Sequence, residues 1–131
     1  VNLCLSIANL VEGVVAAALF REFVRGTDVL VAPHHGHSSG YAPEMFDTMD
    51  RVRMVIASNR ADDEYVDAVA YSRHAGGLLV SVRGGVLSRR SLLTTRNDGT
   101  VQMLISDDGS MTVNTADLPE NEASWVGLVA R

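Results

Sequence analysis

The chain has a single cysteine, Cys4, among its 131 residues, and no lysine. One thiol excludes an intrachain disulfide and a zinc site built on paired cysteines, and it fits a reducing compartment. No apolar run approaches the roughly 20 residues that a membrane-spanning helix needs. The longest near the start, Val14 to Phe20, has neither a basic lead nor a cleavage site of the secretory kind. These absences give the expectation of a cytoplasmic protein that does not use a membrane. All eleven cationic residues are arginines, set against 16 acidic ones, for a net charge of −5. That balance argues against a broad electropositive surface neutralising many phosphates. It leaves room for a local arginine fork on one anion.

What is present is enough to build a core, with 47% hydrophobic and 21% charged residues in a chain of single-domain length. Short apolar runs alternate with amphipathic stretches, the rhythm of an α/β domain. Leu3 to Ile7 reads as a buried strand. Val11 to Val24 places apolar residues at 11, 14, 15, 18, 19 and 23, a helical period that Gly26 terminates. Asp28 to Ala32 is a continuous apolar run stopped by Pro33, as in a central strand covered on both faces. Pro43 opens a short helix to about Met49, and Val52 to Ala57 gives another buried strand. Asp62 and Asp63 suit the amino end of a helix reaching about Ala75, where His74 suits the opposite pole of the dipole. From Leu78 the turn signals Arg83-Gly84-Gly85, Asn97-Asp98-Gly99 and Asp107-Asp108-Gly109 predict an antiparallel meander, with strands at Leu92 to Thr95, Val101 to Ile105 and Met111 to Val113. Residues 117–131 are polar and read as a tail packed on the body of the domain, 1–116, through Trp125.

The chemistry gathers in Ala32-Pro33-His34-His35-Gly36-His37-Ser38-Ser39-Gly40, where three of the four histidines follow a buried strand directly. Strand ends in α/β sheets are where sites are built. Imidazole binds zinc, manganese or iron at neutral pH, and Gly36 and Gly40 let the backbone bend toward an ion. On an extended backbone His34 and His35 would point opposite ways, one toward a metal and the other toward the loop or a substrate. A solvated histidine-rich turn is the plainer alternative.

The run from Asp28 through Pro33-His34-His35-Gly36-His37-Ser38-Ser39-Gly40-Tyr41-Ala42-Pro43-Glu44 resembles the final metal motif of ComEC-like hydrolases of the metallo-β-lactamase superfamily. Val55-Ile56-Ala57-Ser58 is similar to the next strand of that family, which ends in serine. Leu92 to Thr100 is similar to its closing hairpin, where threonine or arginine precedes Asp-Gly. The resemblance spans about residues 1 to 114. It implies an α/β fold comprising half of an αββα sandwich, and a metal-dependent hydrolase in which a metal-activated water attacks a phosphodiester, with single-stranded DNA a possible nucleic acid substrate. It further implies that His34 and His35 are metal ligands, with Asn9 of Ala8-Asn9 standing where the family carries the aspartate of a Gly-Asp pair. His37, Ser38 and Ser39 would contact substrate, and Asp28 would orient a histidine ligand by a hydrogen bond.

The chain departs from that pattern in two places. The His-x-His-x-Asp-His loop of the family's first half is absent, and a neutral amide at Asn9 supplies no charge to balance a cation. Zinc or manganese is therefore expected if the site is completed from elsewhere, and otherwise no cofactor. Half of a sandwich should also leave a sheet face uncovered. An incomplete sequence, which a start at Val1 without methionine favours, a split subunit completed by a partner chain, and a homo-oligomer of half-folds all satisfy that requirement. A non-catalytic, self-associating domain that keeps the fold without the metal remains the alternative reading.

Overall fold

In the computed structural model, which describes residues 3–4, 14–50, 52–59, 66–82 and 85–115, four strands run parallel. They are β1 (Leu3–Cys4), β2 (Val29–Val31), β3 (Met54–Ala57) and β6 (Leu92–Thr94), side by side in the order β1-β2-β3-β6. The apolar runs that form β2 and β3 serve two layers because side chains alternate across a strand. Leu30, Val55 and Ala57 face a core completed by Val24, Phe46, Met49, Val52 and Tyr71. Val29, Met54 and Ile56, with Leu93, face a second core completed by Leu78, Val80 and Val113. Each large side chain buried this way stabilises the fold by roughly 1.5–3 kcal/mol.

The first core lies under the helices α1 (Val14–Val24), α2 (Pro43–Thr48) and α3 (Ala68–Ser72). The second lies under a mixed sheet of β4 (Leu78–Val82), β5 (Val86–Arg90), β7 (Gln102–Ile105) and β8 (Met111–Asn114), ordered β5-β4-β8-β7. Its two hairpins, β4–β5 and β7–β8, are antiparallel, and β4 joins β8 in parallel. The β7–β8 turn closes as Asp107-Asp108-Gly109 predicts, with the Asp108 carboxylate accepting from the Ser110 amide at 2.8 Å. That hydrogen bond holds the exposed Asp108 carboxyl below its ordinary pKa.

Several expectations are corrected. The segment from Leu78 is not one meander, because β6 leaves it to pair in parallel with β3. Consecutive Leu92 and Leu93 offer apolar groups to both faces, which suits a sheet buried on two sides rather than a half-solvated hairpin strand. Asn97-Asp98-Gly99 is no hairpin turn. Residues Thr95–Asp98 form the single helical turn α4, capped reciprocally. The Thr94 hydroxyl accepts from the Asn97 amide, and the Asp98 carboxylate accepts from the Thr94 amide at 2.8 Å.

The start of α3 also differs from expectation. The helix begins at Ala68 with Asp67 as its cap, accepting from the Ala70 amide. It cannot start earlier among the described residues, because Val66 bridges to His37 and the Asp67 amide donates to the Gly36 carbonyl. Asp62 and Asp63 lie outside the described residues, as do Asn9 and 116–131 with Trp125.

In α1, Leu19 and Phe23 face solvent while Val24 is fully buried. Apolar residues fill more than one stripe of this helix, so the period alone does not select the face that packs. Among the described residues, exposed apolar side chains lie on the outer face of the mixed sheet. Leu79 and Leu87 are 63% and 67% exposed there.

Candidate functional site

Because β2, β3 and β6 are parallel, their carboxyl ends share one edge, where the histidine loop, Ser58, Asn59 and Thr95 follow the strands. Past β2 the chain makes two tight turns, Pro33–Gly36 and Ser38–Gly40. His34 and His35 occupy the left-handed region at φ 47° and 58°, the only non-glycine residues of positive φ among the described residues. Such a conformation costs a residue with a Cβ about 1–2 kcal/mol, and it persists only where the surroundings impose it. The expected extended backbone here is therefore corrected. The two rings lie 6.4 Å apart, tilted by 50°.

Two glycines make the fold of the loop possible. A Cβ on Gly40 would stand 2.6 Å from the Pro33 carbonyl oxygen and 2.9 Å from the His34 Cβ. The second turn thus lies directly against the first. Gly36, at φ 88°, is buried against Ala57 and Val66, where a Cβ would stand 3.0 and 3.2 Å from their side chains.

The side chains are tied in turn. His35 Nδ1 lies 2.5 Å from the Ser58 carbonyl. A carbonyl only accepts, so Nδ1 carries the proton and, in the neutral ring, Nε2 keeps its lone pair. His34 Nδ1 lies 2.7 Å from the Ser39 hydroxyl. The half-buried His37 stacks on His34, with centroids 5.0 Å apart and planes within 22°. His34, His35, Ser38 and Ser39 are exposed.

The strand ends are linked one to the next. Ser58, which holds His35, precedes Asn59. The Asn59 amide donates to Thr95 Oγ1 at 2.9 Å, the Thr95 hydroxyl donates to the Asn59 carbonyl at 2.7 Å, and the Arg96 amide approaches Asn59 Oδ1 at 3.4 Å. Asn59 is buried, and its Nδ2 has no partner among the described residues. Asp98 pairs with Arg90 at 2.9 Å. Arg96 is exposed just beyond Thr95.

The structure thus brings together His34, His35, His37, Ser38 and Ser39. Asp28 is not with them. It lies at the amino end of β2, where its carbonyl accepts from the Arg53 and Met54 amides and its carboxylate stands 4.0 Å from the Arg53 guanidinium. The length of β2 separates it from the histidines. The role of orienting a histidine belongs instead to the Ser58 carbonyl. Among the described residues, no group of three or more His, Cys, Asp or Glu side chains converges where an ion could sit.

Sequence reasoning missed Asn59 and Thr95, although a polar Ser-Asn pair just past a buried strand was a usable signal. It also missed the surroundings of Tyr41. The Tyr41 hydroxyl lies between Arg73 Nη2, which donates to it at 2.7 Å, and His74 Nε2 at 2.6 Å. His74 stacks on Phe46, with centroids 4.2 Å apart. His74 is therefore an aromatic-core partner as well as a residue near a helix end. Among the described residues no helix is long and apolar enough to cross a membrane. Comparison of the chain with protein-family models, curated proteins and solved structures gives no match.

Proposed function

We propose that this chain carries part of a metal-dependent hydrolase centre of the metallo-β-lactamase type, acting on phosphodiester bonds in the cytoplasm. The observation that carries this reading is His35, an exposed residue whose ring is oriented by the Ser58 carbonyl so that, in the neutral ring, Nε2 keeps its lone pair. A hydrogen bond from the distal nitrogen to a carbonyl is the usual way a protein fixes an imidazole ligand. The backbone strain at His34 and His35 supports the same reading, because strain of this kind gathers where function requires it.

In this reading His35 and His34 hold zinc or manganese, and the remaining ligands come from Asn9, from residues outside this sequence, or from a second chain. A bound divalent ion supplies Lewis acidity and lowers the pKa of water to about 7. The chain's own groups do the rest. Ser38 and Ser39 are exposed hydroxyls that can hydrogen-bond a phosphate oxygen, while Arg96 offers a charged fork beyond the next strand end. An αββα half-sandwich fits the observed order of helices, parallel sheet and second sheet.

The test is metal content of the purified protein by elemental analysis, with His34→Ala and His35→Ala variants beside it, followed by hydrolysis of bis(p-nitrophenyl) phosphate. Zinc or manganese retained by the parent and lost from His35→Ala is the expected result. A folded parent free of metal, even after incubation with either ion, would overturn the reading.

The exposure of Leu79 and Leu87 on the outer face of the mixed sheet favours a second reading, a non-catalytic domain that self-associates or binds a partner chain. It expects Leu79→Asp with Leu87→Asp to convert an oligomer to a monomer in light scattering. A parent already monomeric at high concentration would remove its support.

A further inference from the structure

We propose that Tyr41 and Arg73 are positioning residues for the histidine loop, acting as the second grip of a staple whose first grip is the Gly36–Asp67 hydrogen bond. This rests on the reading of His35 as a ligand and names what holds it in place.

The loop enters from β2 fixed to the sheet, because the Ala32 amide donates to the Ile56 carbonyl at 2.8 Å. Its middle is gripped by the segment leading into α3, through the Asp67 amide on the Gly36 carbonyl at 3.0 Å and the His37–Val66 bridge. At its far end, the Gly40 and Tyr41 amides donate only within the loop, to the His37 and Ser38 carbonyls at 3.0 and 3.2 Å. That end is fastened to the body by the Tyr41 side chain together with the helix that follows it, whose Phe46 is buried in the same core.

Its ring meets Tyr71 edge-on, with centroids 5.3 Å apart, and lies 5.8 Å from Phe46. The hydroxyl accepts from Arg73 Nη2 and donates to His74 Nε2, a nitrogen that also accepts from Arg73 Nε at 3.3 Å. The Arg73 guanidinium carbon stands 5.6 Å from the centroid of the same ring. The segment from Val66 to His74 thus grips the loop at its middle and again at its far end. His34 and His35 lie between the fixed entry and these two grips, which is why neither can relax from the left-handed region. Releasing one grip lets the pair populate ordinary backbone conformations, in which His35 Nδ1 no longer meets Ser58. A ligand that needs the strained arrangement then binds more weakly by the fraction lost.

Two variants isolate this effect. Tyr41→Phe keeps the ring and its packing while removing the hydroxyl, and Arg73→Lys keeps the charge while removing the fork. The readouts are solvent exchange of the His35 ring N–H by nitrogen-15 NMR, cobalt(II) affinity by optical titration, and the thermal midpoint. Both variants are expected to speed His35 N–H exchange and weaken cobalt binding about tenfold, with the thermal midpoint nearly unchanged. If Tyr41→Phe unfolds, Arg73→Lys decides alone. Parent-like exchange and cobalt affinity in the folded variants would overturn the inference. A parent that takes up no cobalt, yet loses the protected His35 N–H in Tyr41→Phe, sinks the metal reading and leaves the staple standing.

Discussion

The two cores on either side of the parallel sheet are built from different chemistry. Between the sheets, Val29, Met54, Ile56, Leu78, Val80, Leu93 and Val113 form a purely aliphatic layer with methionine. Under the helices, Phe46 and Tyr71 are ringed by Tyr41 and His74, whose hydroxyl and imidazole enter the packing, and the exposed Arg73 guanidinium binds the Tyr41 hydroxyl at its edge. The aliphatic layer has no polar geometry to satisfy and can hold the sheets together by area alone. The aromatic layer stands behind the histidine loop and transmits position to it. Stability and placement of the site are thus divided between the two faces of one sheet.

Substitutions can break that division or sharpen it. The largest effect is expected from Leu93→Ala, which empties part of the aliphatic layer and should cost about 2–5 kcal/mol by denaturant titration. The His35 ring N–H signal should persist in the molecules that remain folded. Gly40→Ala comes next. A Cβ at 2.6 Å from the Pro33 carbonyl forces the two turns apart, costing about 1–3 kcal/mol and abolishing the His35–Ser58 hydrogen bond, as NMR would register. If Gly40→Ala left that bond intact, the contact between the two turns would not be what holds the loop.

Smaller effects should fall on the aromatic side. Tyr71 is fully buried and its hydroxyl has no hydrogen-bond partner among the described residues. Tyr71→Phe should therefore be neutral or stabilising by up to about 1 kcal/mol, read from the thermal midpoint. The same hydroxyl gives a pH signature. Burial first, then Asp67 and Tyr41, raises its pKa from 10.0 to about 12. The folded chain holds this proton more tightly than the unfolded one, so the contribution is complete below pH 10 and lost as the pH rises through about 12. Denaturation midpoints measured across that window should fall in the parent and fall less in Tyr71→Phe. Smallest is His34→Gly, which relieves a left-handed residue and should stabilise by up to about 1 kcal/mol while weakening any metal affinity. A loss of stability instead would mean that the strain at His34 is outweighed by its contacts with Ser39 and His37.

Much of this architecture was legible because the signals were local. Continuous apolar runs ending at Pro33 and Ser58 marked strands buried on both faces, and Gly85 and Gly109 marked real hairpin turns. The histidine cluster past β2 was legible as a candidate for the same reason. What could not be read was nonlocal. Nothing in Leu92-Leu93 alone says that its partner is β3, where Ile56, 37 positions earlier, stands in register with Leu93. Nor does any local pattern place Arg73 on Tyr41 or Thr95 on Asn59. The left-handed backbone at His34 and His35 was illegible because these residues disfavour it, and it is imposed by distant contacts: the packing of Gly36 and Gly40 and the hold of the Val66–His74 segment on the loop. Asp28 misled because residues close in sequence stand at opposite ends of the strand between them.

The path of β6 has one more consequence. The chain runs through β5 in one sheet, crosses at Ser91 into β6 of the other, and returns through α4 to β7 in the first. A thread that passes between two layers and back is a stitch, and neither layer can peel away without drawing it out. Melting of the two sheets should therefore coincide, and a protease should find no early cut at Ser91. The candidate site, resting on the end of that stitch at Thr94 and Thr95, shares the cooperativity of the whole rather than opening on its own.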